Sequence, residues 1–424
     1  GVHWDGVRPR GSLINGNGKS EGVLPFLKIQ DSTTIGVSQG GVRRGASAAY
    51  LPVDHGDFWE FIRMRRPEGD QNRQCLNTHH GVCITDEFIN KVKSGDKEAR
   101  EKWVEILKAR FETGEPYLFF SDNVSRNRPD CYKERNLDVK GSNICSEIFL
   151  HTDEDHSFVC CLSSMNLARW NEWKDTNAVE LATWFLDGIL TEFIDKARNL
   201  PGFERAVRSA EKGRAIGLGA MGFHTYLQEH MIPVDSFDAF SLNGQMFSGM
   251  QKQAFKASED LAKEYGEPEW CKGSGRRNTH TMALAPTVSN SLISGNVSPS
   301  IEPWAANAFV QKSAKGSIIQ KNKSLITLLD KKEQNTEEVW KSIINNEGSV
   351  QHLSFLSDEE KEVFLTAREI NQFSLVKLAG QRQRWIDQGQ SLNIFFPANA
   401  DPKYIHEVHM MAHEEGLNSL YYLR

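Results

Sequence analysis

A short apolar stretch at residues 142–148 places one cysteine between an amide and a carboxylic acid. Side chains alternate between the two faces of an extended chain, so residues two apart lie on the same side. If the stretch is extended, Asn143, Cys145 and Glu147 share one face, and a second thiol, Cys160, follows on the next apolar run. This set predicts redox or radical thiol chemistry, although a single cysteine can also be a small buried apolar residue.

Size and composition indicate a globular protein of ordinary type. The 424 residues are enough for one large barrel or for two to three domains, with 39% apolar and 25% charged residues. The net charge of −6 argues against a nucleic-acid surface that depends on positive charge. No apolar run reaches the roughly 18 residues that a membrane span needs. Seven cysteines without CxxC or zinc spacing predict a reducing, cytoplasmic location and no metal site.

Apolar runs and helical spacing alternate along the chain, which favours an α/β architecture with parallel strands. Strands are predicted at 117–120, 147–150, 159–163, 392–396 and 417–423. Helices are predicted at 57–66, 86–93, 97–112, 178–198, 251–265 and 402–415. The polar segment near 312–370 is expected to form peripheral helices.

Four further patterns each allow two interpretations. Residues 217–222 match GxGxxG, but no clear strand precedes them, so a packing turn is favoured over a dinucleotide site. Residues 153–156 could hold a cation, although a solvated turn is expected. Residues 286–291 could bind phosphate at a helix start or simply cap that helix. Tyr421 and Tyr422 could be one core and one surface tyrosine, or a pair of redox-active phenols.

Several segments, in order along the chain, resemble the catalytic large subunits of class I ribonucleotide reductases. These segments are SQGGVRRG at 38–45, SNICSEI at 142–148, RAIGLGAMGFHTYL at 214–227, PTVSNSLISGNVSPSIEP at 286–303, QSLNIFF at 390–396 and LYYLR at 420–424. The resemblance implies the ten-stranded α/β barrel of the ribonucleotide reductase and glycyl-radical type. Residues 1–424 would form one catalytic barrel domain, with a finger loop near 141–149 and a peripheral helical segment near 312–370.

The resemblance also implies a reaction, the reduction of a ribonucleotide to its 2′-deoxy form through a thiyl radical. Cys145 would carry the radical, and Glu147 would be the general base. Asn143 would hold the ribose hydroxyls. Cys160 would be redox-active, with its partner cysteine outside this chain.

Other matching segments imply residues for radical transfer and nucleotide binding. Radical transfer is assigned to Tyr421 and Tyr422. The residues assigned to substrate binding are Gly41, Pro286, Thr287, Val288, Ser289, Asn290 and Ser291. The residues assigned to the effector-specificity loops are Arg8, Gln39 and Arg43.

The same resemblance implies partners. They are a radical-generating small (β) subunit with a metal or tyrosyl-type cofactor, a second catalytic subunit in a homodimer, dNTP and ATP effectors, and a thioredoxin- or glutaredoxin-like reductant. No cofactor is expected to be bound in this chain itself.

The family's barrel begins upstream of Gly1, so its N-terminal part is expected to be missing, or supplied by a second polypeptide. Two alternatives remain open, and neither is a class I reductase. The first is a class II, adenosylcobalamin-dependent reductase, a class that lacks the tyrosine pair. The second is a non-catalytic scaffold subunit, against which the intact set of Asn143, Cys145 and Glu147 argues.

Overall fold

The computed structural model describes residues 1–16, 18–39, 43–313 and 316–424, so the predicted substrate residue Gly41 lies outside the described residues. The strands are β1 (Val2–His3), β2 (Ser38–Gln39), β3 (Arg43–Arg44), β4 (Ser47–Pro52), β5 (Thr78–Ile84), β6 (Tyr117–Phe120), β7 (Leu162–Asn166), β8 (Gly217–Met221), β9 (Ala308–Ser313), β10 (Gly316–Lys321) and β11 (Ser419–Leu420).

The α-helices lie between these strands and after them. They are α1 (Leu24–Gly36), α2 (Phe58–Phe61), α3 (Asp86–Ser94), α4 (Lys97–Thr113), α5 (Ser121–Asn127), α6 (Asp130–Lys133), α7 (Trp170–Trp173), α8 (Ala178–Ala197), α9 (Glu204–Gly213), α10 (Phe223–Glu229), α11 (Phe237–Tyr265), α12 (Val288–Ile293), α13 (Lys323–Lys331), α14 (Glu337–Asn345), α15 (Asp358–Val363), α16 (Gln372–Gln383) and α17 (Pro402–Glu414). None of the described helices is both long and apolar enough to cross a membrane.

The main sheet has the strand order β1-β4-β5-β6-β11, in which the first four strands are parallel and β11 is antiparallel to β6. A second parallel pair joins β7 to β8. Irregular segments connect the two sheets through backbone hydrogen bonds. These bonds join Leu218 N to Thr281 O (2.8 Å), Leu284 N to Gly389 O (2.9 Å) and Ile394 N to Tyr422 O (3.1 Å). These bonds join both sheets into one continuous layer of hydrogen-bonded segments, which we call the wall.

Local sequence explains where the helix before β6 begins and ends. Asp96 accepts a hydrogen bond from Ala99 N, which caps the first turn of α4. Gly114 ends the helix with φ of 80°, a left-handed conformation that glycine adopts at little cost. The chain then enters β6, whose four residues are all buried. A strand with both faces buried is typical of a parallel sheet covered by helices.

A smaller apolar cluster lies apart from the main core. Trp340 and Ile343 of α14 pack there with Leu325 and Leu329 of α13. The hairpin of β9 and β10 precedes these helices, and α15 follows them. The peripheral segment predicted near 312–370 is therefore helical but also contains part of a hairpin.

Several predicted elements differ from the structure. No regular strand forms at the predicted positions 147–150 and 392–396. Hydrogen bonds to side-chain amides and isolated bridges replace the regular backbone hydrogen bonds there. The predicted strand at 159–163 begins later, as β7, and the terminal strand is only β11. Residues 217–222 are not a packing turn. They contain the buried strand β8, and their glycines allow close packing, since a Cβ at Gly219 would lie 2.5 Å from the carbonyl oxygen of Ala283.

Candidate active site

The loop that carries Cys145 is a turn and not the extended strand that the alternation of Asn143, Cys145 and Glu147 suggested. Ser146 has φ of +61°, and its N–H donates to the carbonyl oxygen of Asn143 at 3.3 Å. The Asn143 side-chain oxygen accepts hydrogen bonds from the N–H groups of Glu147 (3.1 Å) and Ile148 (3.2 Å). The asparagine therefore holds the turn together and leaves Cys145 half-buried beside it.

Neighbouring segments fix this loop from several sides. The Tyr50 hydroxyl donates to the carbonyl oxygen of Asn143 at 2.7 Å, and the Ser419 hydroxyl donates to that of Ser146 at 2.7 Å. Gly389 N donates to the carbonyl oxygen of Glu147 at 2.9 Å. A Cβ at Gly389 would collide with the ring of Phe149, so only glycine allows this approach.

The Glu147 side chain is a buried acid whose pKa is suited to proton transfer. Only 1% of the residue is exposed. Burial raises the pKa of its carboxyl from 4.5 to about 7, although hydrogen bonds from Asn143 and Ser391 favour the charged form. A carboxyl with a pKa near neutrality can both accept and return a proton at physiological pH.

Ser391 connects Glu147 to the backbone of Cys145. Its Oγ lies 2.5 Å from the carbonyl oxygen of Cys145 and 3.0 Å from Oε2 of Glu147. A hydroxyl has one proton to donate, and a carbonyl oxygen can only accept. When Ser391 donates to Cys145, the carboxyl must be protonated and donate to Ser391. When Glu147 is ionised, Ser391 can donate to it instead. Ser391 therefore suits both protonation states.

The two C-terminal tyrosines lie together beside Cys145, and not on opposite sides of a strand. β11 ends before them, and their ring centroids are 4.2 Å apart. Burial, and then the neighbouring Cys145 thiol and Tyr422, raise the pKa of Tyr421 above its ordinary value. Tyr421 thus neighbours both Cys145 and Tyr422.

A third tyrosine completes an aromatic cluster around this pair. The Tyr117 ring centroid lies 4.8 Å from that of Tyr421 and 5.1 Å from that of Tyr422. The Tyr422 hydroxyl is 3.3 Å from Nδ1 of His79, which is itself 2.6 Å from a carboxylate oxygen of Glu115. The sequence did not point to Tyr117 and His79, because they meet the two tyrosines only through the fold.

Cys160 belongs to the same neighbourhood. It is solvent-exposed and directly precedes Cys161, whose carbonyl oxygen accepts a hydrogen bond from Gly217 N at the start of β8. Desolvation around the sulfur, followed by electrostatic interaction with Glu147 and Cys145, raises the pKa of the Cys160 thiol. The structure therefore brings together Asn143, Cys145, Glu147 and Cys160, as the sequence predicted.

Residues 286–291 follow the wall segment next to Ser391. Leu284 forms a parallel bridge with Gln390, and the chain then turns into the short helix α12. Thr287 Oγ1 accepts from Ser300 N at 2.8 Å, and the buried Ser291 hydroxyl donates to the carbonyl oxygen of Val288 at 3.1 Å. These two hydroxyls therefore have partners within the protein. The exposed residues of the segment are Val288, Ser289 and Asn290.

The predicted specificity residues flank α1 in the sequence, with Arg8 before the helix and Gln39 and Arg43 after it. Arg8 is exposed, and its guanidinium donates to the carbonyl oxygen of Leu13 at 3.4 Å. For Gln39 and Arg43 only the backbone is described, in the pair formed by β2 and β3. The described contacts do not join these residues to Cys145.

The chain matches the model of the ribonucleotide reductase barrel domain over residues 1–99, 95–274 and 268–423. It is 44% identical to a putative ribonucleoside-diphosphate reductase large subunit of Frog virus 3, over all of this chain and 76% of that protein. It is 36% identical to a ribonucleoside-diphosphate reductase large subunit of Invertebrate iridescent virus 3, over 96% of this chain and 76% of that protein.

A solved structure agrees with these sequence matches. The alpha subunit of a class Id ribonucleotide reductase from Actinobacillus ureae superimposes with a TM-score of 0.92 and 44% identity, over 99% of this chain and 76% of that chain. The fold is the ribonucleotide reductase α/β barrel. The chain belongs to the family of ribonucleotide reductase large subunits, and the class I resemblance is confirmed.

Proposed function

We propose that this chain is a catalytic subunit that reduces ribonucleoside diphosphates to 2′-deoxyribonucleotides, and that Cys145 carries the thiyl radical of the reaction. One observation carries the proposal. The half-buried Cys145 lies with the Tyr421 phenol beside it and the buried carboxyl of Glu147 two residues away in the same turn. A thiol at this point can receive a radical from the phenols and pass it to a substrate next to the carboxyl.

The reaction can be written so that every atom is accounted for. The Cys145 thiyl radical removes the hydrogen from the ribose 3′ carbon and becomes a thiol. Glu147 takes the proton of the 3′ hydroxyl, which helps the 2′ hydroxyl to leave as water. Cys160 and a second cysteine, which the resemblance puts outside this chain, supply two electrons and two protons and form a disulfide. One proton leaves with the 2′ hydroxyl as water, the other becomes the new 2′ hydrogen, and Glu147 returns its proton to the 3′ oxygen. The 3′ hydrogen then returns from Cys145, which restores the radical.

The remaining residues would position the substrate. Asn143 uses its side-chain oxygen to hold the turn and an amide N–H to bond Glu147, so its second amide N–H is the part available to the ribose hydroxyls. The exposed segment Val288, Ser289 and Asn290 would meet the phosphates, with Pro286, Thr287 and Ser291 shaping the turn. Gly41 would contact the substrate, and the specificity loops with Arg8, Gln39 and Arg43 would respond to bound dNTP or ATP.

The proposal includes partners that the class requires. A radical-generating β subunit would deliver the radical through Tyr422 and Tyr421 to Cys145, since one long transfer step would be too slow. Two catalytic subunits would form a dimer that shares the effector sites. A thioredoxin- or glutaredoxin-like protein would restore the thiols after each turnover.

Replacement of Cys145 by serine tests the proposal. Oxygen cannot replace sulfur as the hydrogen-atom carrier, so Cys145→Ser should abolish deoxynucleotide formation and leave diphosphate binding nearly unchanged. The assay uses the enzyme assembled with its radical-generating subunit, and calorimetry measures binding. Cys161→Ser is the matched control, because the buried Cys161 thiol donates to the carbonyl oxygen of Leu186, which a serine hydroxyl can also do. Turnover by Cys145→Ser would contradict the assignment.

A further inference from the structure

A second cluster of ligand-type side chains lies between Glu147 and Cys160, outside the candidate active site. His151, Asp153 and His156 each offer one ligand atom, and these atoms lie within 4.8 Å of one another. Nε2 of His151 is 2.9 Å from Oδ2 of Asp153, and Nδ1 of His156 is 2.8 Å from Oδ1. The sequence predicts a solvated turn at 153–156, and the fold adds the imidazole of His151 to it.

The hydrogen bonds of His151 show that this arrangement needs a positive charge. Nδ1 of His151 lies 2.8 Å from the carbonyl oxygen of Asp138, which can only accept, so Nδ1 carries a proton. In a neutral imidazole Nε2 then has a lone pair, and it faces a carboxylate oxygen that is also an acceptor. Either a second proton or a metal ion must lie between them. Histidines that bind metals typically donate their other N–H to a carbonyl in this way.

The surroundings of His156 fit a metal ion bound at its Nδ1. Its Nε2 is buried and has no hydrogen-bond partner in the described part of the chain, and its ring lies 5.1 Å from the Trp270 ring. If Nδ1 donates to Asp153, Nε2 remains a buried lone pair. If Nδ1 binds a metal ion, the proton resides on Nε2, where an N–H group beside an aromatic ring is more favourable.

The backbone holds the carboxylate in place for binding. Oδ1 of Asp153 accepts hydrogen bonds from the N–H groups of Asp155 (2.8 Å) and His156 (2.9 Å). Oδ2 is directed to His151. The ligands are therefore oriented before any ion arrives, which reduces the entropy that binding would cost.

We propose that His151, Asp153 and His156 bind a divalent first-row transition-metal ion such as Zn²⁺. Two imidazoles and one carboxylate suit these ions, and three protein ligands leave a coordination position for water. The site is separate from the radical chemistry. A bound ion would fix the path of the chain that leads from Glu147 to Cys160.

Titration of the metal-free, untagged full chain with Co²⁺ tests the site, because Co²⁺ bound by imidazole has visible absorption bands. We expect one equivalent to bind. His151→Ala and His156→Ala should each weaken binding by at least about tenfold to a hundredfold, the range for disturbing a metal's supporting groups. His352→Ala is the control, since this histidine contacts only Ser342 among the polar groups described near it, and it should bind Co²⁺ as the unmodified chain does.

A second measurement covers the case in which an alanine variant folds poorly. Asp153→Asn keeps an oxygen that can accept the N–H groups of Asp155 and His156 but removes the charge. Saturating Zn²⁺ should raise the Tm of the unmodified chain, as a ligand of the folded state does, and should raise that of Asp153→Asn much less. The absence of Co²⁺ bands in the unmodified chain, or equal Co²⁺ affinity in all variants, would overturn the proposal.

Discussion

Replacement of Glu147 by glutamine should slow the enzyme and at the same time stabilise the fold. The general base is lost, so the rate should fall by a factor on the order of 10²–10⁴. The fold should be retained, because the glutamine amide can donate to Ser391 as the protonated acid does. Asn143 can still cap the turn, since it binds backbone N–H groups there.

The gain in stability follows from the pKa of the buried carboxyl. Glu147 loses its proton near pH 7 in the folded chain and near its ordinary 4.5 in the unfolded chain. Between these values the unfolded state has released a proton that the folded state retains, so stability falls as the pH rises from the lower value to the higher. One pKa unit corresponds to about 1.36 kcal/mol, so the total loss is about 3 kcal/mol. Glutamine does not titrate and avoids this loss.

The measurement is the free energy of unfolding in urea, for both proteins, at about pH 5 and about pH 8. The difference between Glu147→Gln and the unmodified chain should grow by about 2 to 3 kcal/mol over that interval. Glu302→Gln is a positive control for the stability effect. Burial raises the pKa of Glu302 to about 7 as well, so this variant should show the same dependence of stability on pH. A difference that stays constant with pH, or an unchanged rate where chemistry limits turnover, would refute the reasoning.

Four other substitutions test separate parts of the site. Tyr421→Phe and Tyr422→Phe should each abolish reduction but keep substrate binding, because the ring remains and the O–H is lost; near-normal activity in both would contradict radical transfer through them. Cys160→Ser should abolish deoxynucleotide formation while Cys145 still exchanges the 3′ hydrogen, measured as tritium release from labelled substrate. Gly389→Ala should cost about 1–3 kcal/mol by overpacking and lower the Tm, whereas Gly188→Ala on a helix, with open space around it, should not.

The sequence predicted α4, α8, α17 and the buried strand β6 well, because apolar spacing, capping residues and glycine stops act within a few residues, but it predicted only the second half of α11. It also indicated that Asn143, Cys145, Glu147 and Cys160 would lie close together, since they occupy two nearby apolar runs, and their roles stay predictions. It could not predict Ser391, which meets Glu147 from a segment more than 200 positions later. That contact depends on which wall segments become neighbours, and no local pattern encodes it.

The predicted strands at 147–150 and 392–396 are absent at the candidate active site, and one physical reason accounts for both. Side-chain amides occupy backbone groups there that a regular ladder would use. The Gln388 amide oxygen accepts from Phe149 N at 3.2 Å, and that of Asn393 accepts from Tyr422 N at 3.1 Å. Asn143 does the same within its own turn. Amide side chains compete with regular structure in this way and permit a backbone path that no strand would follow. An asparagine or glutamine within an otherwise apolar run is therefore a sequence signal that the segment leaves the regular strand path at the site.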